Sequence, residues 1–303
     1  MAAFTRRLDP KITDEIKKTA LFELLLSDIK KGQVFPAIRN NRIDFYHGGG
    51  KLFSYDINGF TTHLKFASVL TGKQDRYVGE SVFPLPSIRS FADPDAYLRI
   101  KENCRNYSGA EGTGVFRTTK HFAAAWSPEP GIIPLDIEIC FATNQGTGKR
   151  KTDRIDVLFL NCYTQKMRFC EAKHFSNGEI WSEVRSSPRV VSQLERYRNQ
   201  LQQRTASLVS VYSSYVADLN TLLPGLHLPP PTGVDEMPLF LLIFGFDRNQ
   251  QDGRLENLLL GDGSLSGYNY YTIGSIESIK LENMWKGTKL GQACPPSPVA
   301  GNP

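Results

Sequence analysis

The chain lacks any long apolar run of the kind that crosses a membrane. No stretch approaches the roughly eighteen consecutive apolar residues that a spanning helix needs. The first residues, Met-Ala-Ala-Phe-Thr-Arg-Arg, lead into an amphipathic segment and not into the apolar core of a secretory signal. We therefore expect a soluble, cytoplasmic protein that has no membrane partner.

Cysteine and histidine are scarce and poorly spaced for metal or disulfide chemistry. The 303 residues include five cysteines, an odd number, and none of them forms a C-x-x-C pair. The five histidines are scattered, with no pair at metal-ligand spacing. A G-x-S-x-G nucleophile motif is also missing from the sequence. These absences argue against a disulfide scaffold, a zinc finger or a serine nucleophile, and they indicate free thiols in a reducing compartment.

A complete phosphate-binding P-loop is missing as well. Residues 146–151 resemble one, but position 143 is threonine, and Arg150 replaces the Ser or Thr that binds Mg²⁺. We therefore exclude nucleotide hydrolysis. The loop instead belongs to a basic cluster of four residues: Lys149, Arg150, Lys151 and Arg154. Such a cluster predicts contacts with nucleic-acid phosphates, in keeping with the net charge of +5, and a solvated turn is the alternative.

The N-terminal part has the pattern of a helix followed by a small antiparallel sheet. Apolar side chains from Ile12 to Leu25 recur at helical spacing and predict a helix over residues 12–31. Three apolar segments follow, separated by Asn40-Asn41 and by the three glycines at 48–50, as in tight turns. The predicted strands are residues 34–38, 42–46 and 51–55.

Proline content predicts the boundaries of the units. Three prolines lie within residues 79–95, and small residues and prolines are frequent from Gly287 onward. We predict an N-terminal helix and β-meander module, a larger domain and a disordered tail: residues 1–80, 81–287 and 288–303. We expect the module to recognise substrate or a protein partner through its basic residues: Arg39, Arg42 and Lys51.

The larger domain alternates strands with helices and therefore predicts an α/β architecture. Asp93-Pro94 begins a predicted helix that continues to about residue 106, and residues 188–223 carry a long apolar stripe at helical spacing. Residues 239–244 are apolar throughout, which is typical of a strand buried on both faces. The other predicted strands are residues 134–141, 154–160, 167–173 and 270–273.

Three of the charged residues in the apolar strands of this domain form a pattern: Asp156, Glu171 and Lys173. Side chains alternate faces along a strand, so Glu171 and Lys173 share a face, and a pairing strand can bring Asp156 to the same place. Charged side chains in apolar strands need partners. Two carboxylates beside one ammonium predict a divalent-cation site with a basic group near its water. The alternative is a buried acid–lysine ion pair that holds the two strands together.

These residues carry a resemblance to the PD-(D/E)XK nuclease superfamily over roughly residues 130–250. Arg154-Ile155-Asp156 is similar to the metal-binding aspartate strand of that superfamily, and Glu171-Ala172-Lys173 is similar to its acid-x-lysine half-motif. Residues 193–197, Gln-Leu-Glu-Arg-Tyr, resemble the Q-x-x-x-Y helix of the RecB-type branch. The resemblance implies a restriction-endonuclease-like fold, in which helices flank a mixed central sheet.

The resemblance also implies a chemistry. Asp156 and Glu171 would hold Mg²⁺ or Mn²⁺, and Lys173 would orient a water or stabilise negative charge at phosphorus. The implied activity is that of a metal-dependent deoxyribonuclease, of a kind used in restriction, defence or repair. The rival function is a catalytically silent nuclease-fold protein that acts as a nucleic-acid-binding module.

Further positions have two interpretations each. Glu138, on the preceding strand, is either an additional metal ligand or a solvent-facing acid. Asp153 either assists Asp156 or belongs to the loop alone. The resemblance implies that Gln193 approaches the metal site or the DNA backbone, whereas Tyr197 is expected to pack in the core.

Overall fold

A computed structural model describes residues 4–71, 82–83, 91–141, 153–181, 187–261, 265 and 267–287. The α-helices are α1 (Pro10–Ile16), α2 (Ala20–Lys30), α3 (Leu64–Thr71), α4 (Pro94–Asn106), α5 (Ala110–Thr119), α6 (Arg189–Leu222), α7 (Arg248–Gln250) and α8 (Leu281–Trp285). The strands are β1 (Phe35–Arg39), β2 (Arg42–His47), β3 (Gly50–Asp56), β4 (Gly59–His63), β5 (Val82–Phe83), β6 (Ile132–Cys140), β7 (Arg154–Asn161), β8 (Lys166–His174), β9 (Gly233–Phe244) and β10 (Asn269–Ile273). The predicted α/β class is confirmed.

The first sheet is an antiparallel meander in which β1 to β5 follow one another in chain order. Its first three strands are those predicted from the sequence, while β4 and β5 are additions. In β1 and β2 the described pairing runs from Phe35 opposite Tyr46 to Arg39 opposite Arg42. Every residue of β1 is buried, including its one charged residue, Arg39.

The single helix predicted at residues 12–31 is wrong, because the structure divides it into α1 and α2. The hydroxyl of Thr19 accepts a hydrogen bond from the N–H of Phe22, which makes Thr19 the N-cap of a new helix. Ile16 of α1 and Leu25 of α2 are both fully buried, so the predicted apolar residues contribute to the core in both helices.

The second sheet carries the candidate site and has the strand order β10-β9-β8-β7-β6. β7 is antiparallel to β6 and to β8, whereas β9 is parallel to β8 and to β10. Helix α6 connects β8 to β9 and supplies the crossover that parallel neighbours require. β9 lies between two other strands, which explains why residues 239–244 are apolar on both faces.

Glycines allow the first sheet to pack closely against helix α5. Gly49, in the turn between β2 and β3, has a backbone φ of +96°. A Cβ atom at this position would lie 2.7 Å from the carbonyl oxygen of Gly112 in α5. On α5, Gly114 lies so close to the ring of Phe244 in β9 that any Cβ would collide with it. The meander therefore helps to place the helix that borders the candidate site.

A buried charge cluster connects the two sheets and corrects the expected role of Arg39. Asp136 of β6 is fully buried and accepts hydrogen bonds from Arg6 (2.9 Å), Arg39 (2.7 Å) and Tyr212 (2.9 Å). Arg39 also donates to the carbonyl oxygen of Ile137 at 2.7 Å. The expectation that Arg39 recognises a partner is wrong, because its guanidinium is buried in this cluster.

The other two basic residues considered for recognition, Arg42 and Lys51, both lie near one acid, Asp44. Arg42 Nε lies 2.9 Å from Asp44 Oδ1, and Lys51 Nζ lies 3.9 Å from the same atom. The structure therefore gives both residues a partner within their own sheet. A protein partner for this module stays a prediction.

Three further expectations concern the chain as a whole. No helix in the described part of the chain combines the length and apolar character needed to cross a membrane. Free thiols are found at Cys104, Cys140, Cys162 and Cys170. The predicted tail at 288–303 lies outside the described residues, and the unit boundary at residue 80 stays a prediction.

Candidate active site

Three charged side chains meet where strands β7 and β8 border a cleft of about 510 Å³. Lys173 Nζ lies 2.8 Å from Glu171 Oε1, which confirms that these two side chains share a face of β8. Asp156 Oδ2 accepts a 2.8 Å hydrogen bond from the backbone N–H of Ala172, between those two residues. The structure thus brings together the three residues singled out by the sequence pattern.

Glu171 is a buried acid, and one of its carboxylate oxygens accepts no hydrogen bond from the described residues. Only 1% of the residue is exposed, and Oε2 has no hydrogen-bond partner among the residues that the structure describes. Burial and the neighbouring Asp156 carboxylate raise the pKa of Glu171 well above its ordinary range, although Lys173 opposes the shift. A buried oxygen without a partner costs free energy, so this carboxyl favours an incoming cation or proton.

Asp156 is the second acid with a shifted pKa. Burial raises the pKa of Asp156 to about 6, and the hydrogen bond from Ala172 and the charge of Lys173 only partly oppose it. Two neighbouring carboxylates in a low-dielectric site resist ionising together. A divalent cation between them would remove that conflict.

Two further acids, which no sequence pattern indicates, approach Lys173. Glu179, in the 3-10 turn Gly178–Ile180, places Oε2 2.8 Å from Lys173 Nζ. Glu111, in the first turn of α5, places Oε1 4.0 Å from the same nitrogen. No spacing rule links either residue to the acid-x-lysine strand, so only the packing of α5 and of the turn after β8 reveals them.

Helix α6 forms the opposite wall of the cleft. Gln193 Nε2 donates to Tyr197 Oη at 2.8 Å, and Tyr197 Oη donates to the carbonyl oxygen of Arg154 at 2.6 Å. The Q-x-x-x-Y pair therefore ties the helix to the first residue of β7. Gln193 and Tyr197 both line the cleft, and Tyr197, which is 1% exposed, also packs in the core as expected. Arg189 and Arg196 add positive charge to the same wall.

Glu138 and Asp153, the two further acids considered as possible metal ligands, each pair with other side chains. Glu138 Oε1 lies 3.3 Å from Arg154 Nη1, and Glu138 Oε2 accepts a 3.2 Å hydrogen bond from Tyr46. Its backbone φ of +50° is a left-handed conformation that non-glycine residues rarely adopt and that is enriched at functional sites. Asp153 accepts hydrogen bonds from Arg196 at 3.3 Å and from Gln200 at 2.8 Å. Glu138 and Asp153 therefore form ion pairs with two arginines that line the cleft, Arg154 and Arg196.

The predicted basic cluster is only partly visible. Arg154 lines the cleft, whereas Lys149, Arg150 and Lys151 lie outside the described residues. Their contact with nucleic acid stays a prediction.

The donor set of the cleft suits a hard divalent cation. Mg²⁺ and Mn²⁺ prefer oxygen ligands, and Glu171 offers a buried carboxyl oxygen that lacks a described partner. Asp156 supplies a second carboxylate beside it. Within the described ranges, no group of three or more His, Cys, Asp or Glu side chains is arranged to hold a metal ion. A cation here would therefore need water or substrate oxygens in its remaining positions, which is common for Mg²⁺.

Asp156→Asn is expected to stabilise the metal-free protein at neutral pH. Because folding raises the pKa of Asp156 from 3.8 to about 6, protonation of this carboxyl favours the folded state. Its contribution to stability is complete below about pH 4 and is lost as the pH rises through about 6. The cleft leaves Asp156 partly exposed, so we expect a gain of about 1 to 2 kcal/mol in the variant at pH 8.

Urea unfolding in EDTA at pH 5 and pH 8 measures this difference. The advantage of Asp156→Asn should grow with pH, and Mg²⁺ should reverse it by stabilising only the wild type. A variant that is less stable than the wild type at pH 8 would instead support a structural ion pair, which is the alternative interpretation of these charges.

Comparison with known proteins adds no assignment. No family model, curated protein or solved structure matches the chain. The residues of the cleft are therefore the basis on which a function is assigned.

Proposed function

We propose that the chain is a metal-dependent nuclease that hydrolyses phosphodiester bonds in DNA. The observation that carries this proposal is the pair of acids at the cleft floor, in which a buried oxygen of Glu171 has no described partner beside Asp156. Lys173 lies against the same acid at 2.8 Å. Two carboxylates that favour a cation, with an ammonium at hydrogen-bond distance, suit phosphodiester hydrolysis.

The order of elements supports a PD-(D/E)XK-like fold for the second sheet. The aspartate strand β7 and the acid-x-lysine strand β8 are antiparallel neighbours. Helix α6 follows β8, and β9 then returns parallel to it. This is the order of strands and helix expected from the resemblance, with α5 and its Glu111 preceding β6. We therefore include a restriction-endonuclease-like fold in the proposal.

Each residue of the cleft has a separate task in this proposal. Asp156 and Glu171 would hold the metal ion, which supplies Lewis acidity and a bound water of lowered pKa. Lys173 offers a fixed positive charge that orients a water or stabilises charge developing at the phosphate. Gln193 supplies a polar amide on the facing wall of the cleft.

Arginines at the cleft walls suit a phosphate backbone. Arg154, Arg189 and Arg196 line the cleft, and exposed guanidinium groups bind phosphate oxygens in a bidentate manner. The side chains of Arg154 and Arg196 are 55% and 46% exposed, so a phosphate can compete with Glu138 and Asp153 for them. Such contacts give affinity that falls with salt and carries no sequence preference.

One observation favours the second candidate, a catalytically silent nucleic-acid-binding module. The described residues present two cleft acids beside each other but no arrangement of three metal-ligating side chains. A protein of this kind would bind DNA through the same arginines and leave it intact. The proposal further places the protein in the cytoplasm, where the described free thiols stay reduced.

Incubation of the purified chain with plasmid DNA and with single-stranded oligonucleotides tests the proposal. We expect cleavage in Mg²⁺ or Mn²⁺, none in EDTA, and salt-sensitive DNA binding in both. Binding without cleavage in either metal would support the silent module. Absence of both binding and cleavage would contradict both candidates.

A further inference from the structure

Lys173 is surrounded by acids from four separate elements. Its Nζ lies 2.8 Å from Glu171 of the same strand, 2.8 Å from Glu179 of the following turn and 4.0 Å from Glu111 of α5. The charge of Asp156 in β7 also interacts with Lys173, and the Lys173 side chain is only 5% exposed. A charged lysine is retained at such depth only when it is paired.

Glu171 alone is a poor permanent partner for this lysine. Its Oε1 holds the ammonium, while its Oε2 is buried and has no partner in the described part of the chain. A cation that binds Glu171 would compete with Lys173 for the charge of the same carboxylate. The lysine then needs another acceptor if it is to keep its place beside the cleft.

Glu179 can be this second acceptor for the Lys173 ammonium. Its backbone is held in place by a hydrogen bond, and its carboxylate borders the cleft. Asn177 Oδ1 accepts a 2.8 Å hydrogen bond from the N–H of Glu179, and the next residue, Ile180, is fully buried. Asn177 Nδ2 also donates to Glu111 Oε2 at 2.6 Å, which ties the turn to α5. The Glu179 side chain lines the cleft and is 44% exposed, whereas Glu171 is buried.

We propose that Glu179 is a positioning residue that keeps the Lys173 ammonium at the cleft when a divalent cation occupies Glu171. The proposal rests on the proposed nuclease function for its purpose, whereas the contact itself is independent of it. Ordinary exposed ion pairs contribute little. This one differs because Lys173 is buried and because its other close partner is the acid that a cation would use.

NMR of the ¹⁵N-lysine-labelled full chain tests the positioning directly. Lys173→Gln assigns the ammonium signal, which we expect to be protected from solvent exchange in the wild type, with or without Mg²⁺. In Glu179→Ala its exchange should become about tenfold faster, as expected from the loss of one charge-assisted hydrogen bond, and Mg²⁺ should abolish the signal. Glu179→Gln, which keeps an acceptor oxygen, should restore part of the protection.

Glu195→Gln is the matched control, since Glu195 is an exposed acid of α6 that does not line the cleft. It should leave the Lys173 signal unchanged. In cleavage assays Glu179→Ala should lower kcat by roughly tenfold to a hundredfold, because it displaces the Lys173 ammonium. It should leave KM unchanged, because it removes no contact with DNA.

The outcomes separate this proposal from the nuclease assignment. An unchanged Lys173 signal in Glu179→Ala, or a wild-type signal that Mg²⁺ abolishes, would overturn the role of Glu179 even if DNA is cut. The expected NMR contrast in a protein that never cuts DNA would support the positioning and refute the nuclease function.

Discussion

Replacing Lys173 with alanine is expected to lower Mg²⁺-dependent DNA cleavage by about a thousandfold. The ammonium lies 2.8 Å from Glu171 and in the same cleft as Asp156, so its removal leaves the acids without their fixed positive neighbour. Asp156→Asn should cause a loss of similar size, because an amide cannot supply the negative charge that holds a divalent cation. Initial rates of plasmid nicking, with each variant purified identically, measure both losses.

Lys166→Ala is the matched control for this experiment. Lys166 begins the same strand, β8, at the end remote from Lys173, and it does not line the cleft. Its replacement should leave the rate within about twofold of the wild type. The double variant Lys173→Ala/Asp156→Asn should be scarcely slower than either single variant, since residues that act as one unit are not additive. Rates within tenfold of the wild type in both single variants would show that the cleft is not the site of cleavage.

Strand periodicity explains why the central trio could be predicted. Residues two apart on a strand share a face, and this rule alone places Glu171 beside Lys173. The neighbouring strand is joined by a short turn, so Asp156 could be expected nearby. The long helix α6 was also predictable, because its apolar stripe repeats over many turns. These features depend on local geometry, which sequence patterns represent well.

Helix α5 could not be predicted by the same means, and Glu111 was missed with it. Its sequence, AEGTGVFRTT, contains two glycines and three threonines, all with low helix propensity. The helix has small residues where neighbours approach closely: Gly112 meets the turn at Gly49, and Gly114 meets Phe244. Packing against distant residues therefore determines this helix, and sequence spacing carries no signal of it.

Glu179 was missed for a related reason. It lies in a three-residue 3-10 turn whose position depends on the Asn177 side chain and on the burial of Ile180. Neither feature has a recognisable spacing relative to Lys173. Asp136 is a similar case, because its partners come from the N-terminal segment, from β1 and from α6. A buried acid in an apolar strand requires a partner, but the sequence does not identify that partner.

Asp136→Ala is expected to lower the free energy of unfolding by about 3 to 5 kcal/mol, the largest stability loss that we predict for a single substitution. Burial alone would raise the pKa of Asp136, but Arg39 and Arg6 outweigh it and lower the pKa below its ordinary range. This group therefore contributes stability above about pH 4, which is lost as the pH falls through its lowered pKa. Removing the carboxylate would leave two buried guanidinium groups without their shared acceptor, and urea unfolding at pH 7 measures the cost.

An apolar version of the cluster separates charge pairing from packing. The triple variant Asp136→Leu/Arg6→Met/Arg39→Met should recover much of the lost stability, because it removes the buried charges together and fills their volume. Asp136 does not line the cleft, so Asp136→Ala should still cut DNA at temperatures well below its melting transition. A loss in the free energy of unfolding below about 1 kcal/mol in Asp136→Ala would mean that Asp44 and the carbonyl oxygen of Ile137 are sufficient partners for the Arg39 guanidinium. In that case the hydrogen bond from Arg39 to Ile137, together with apolar packing, would connect the two sheets without the Asp136 carboxylate.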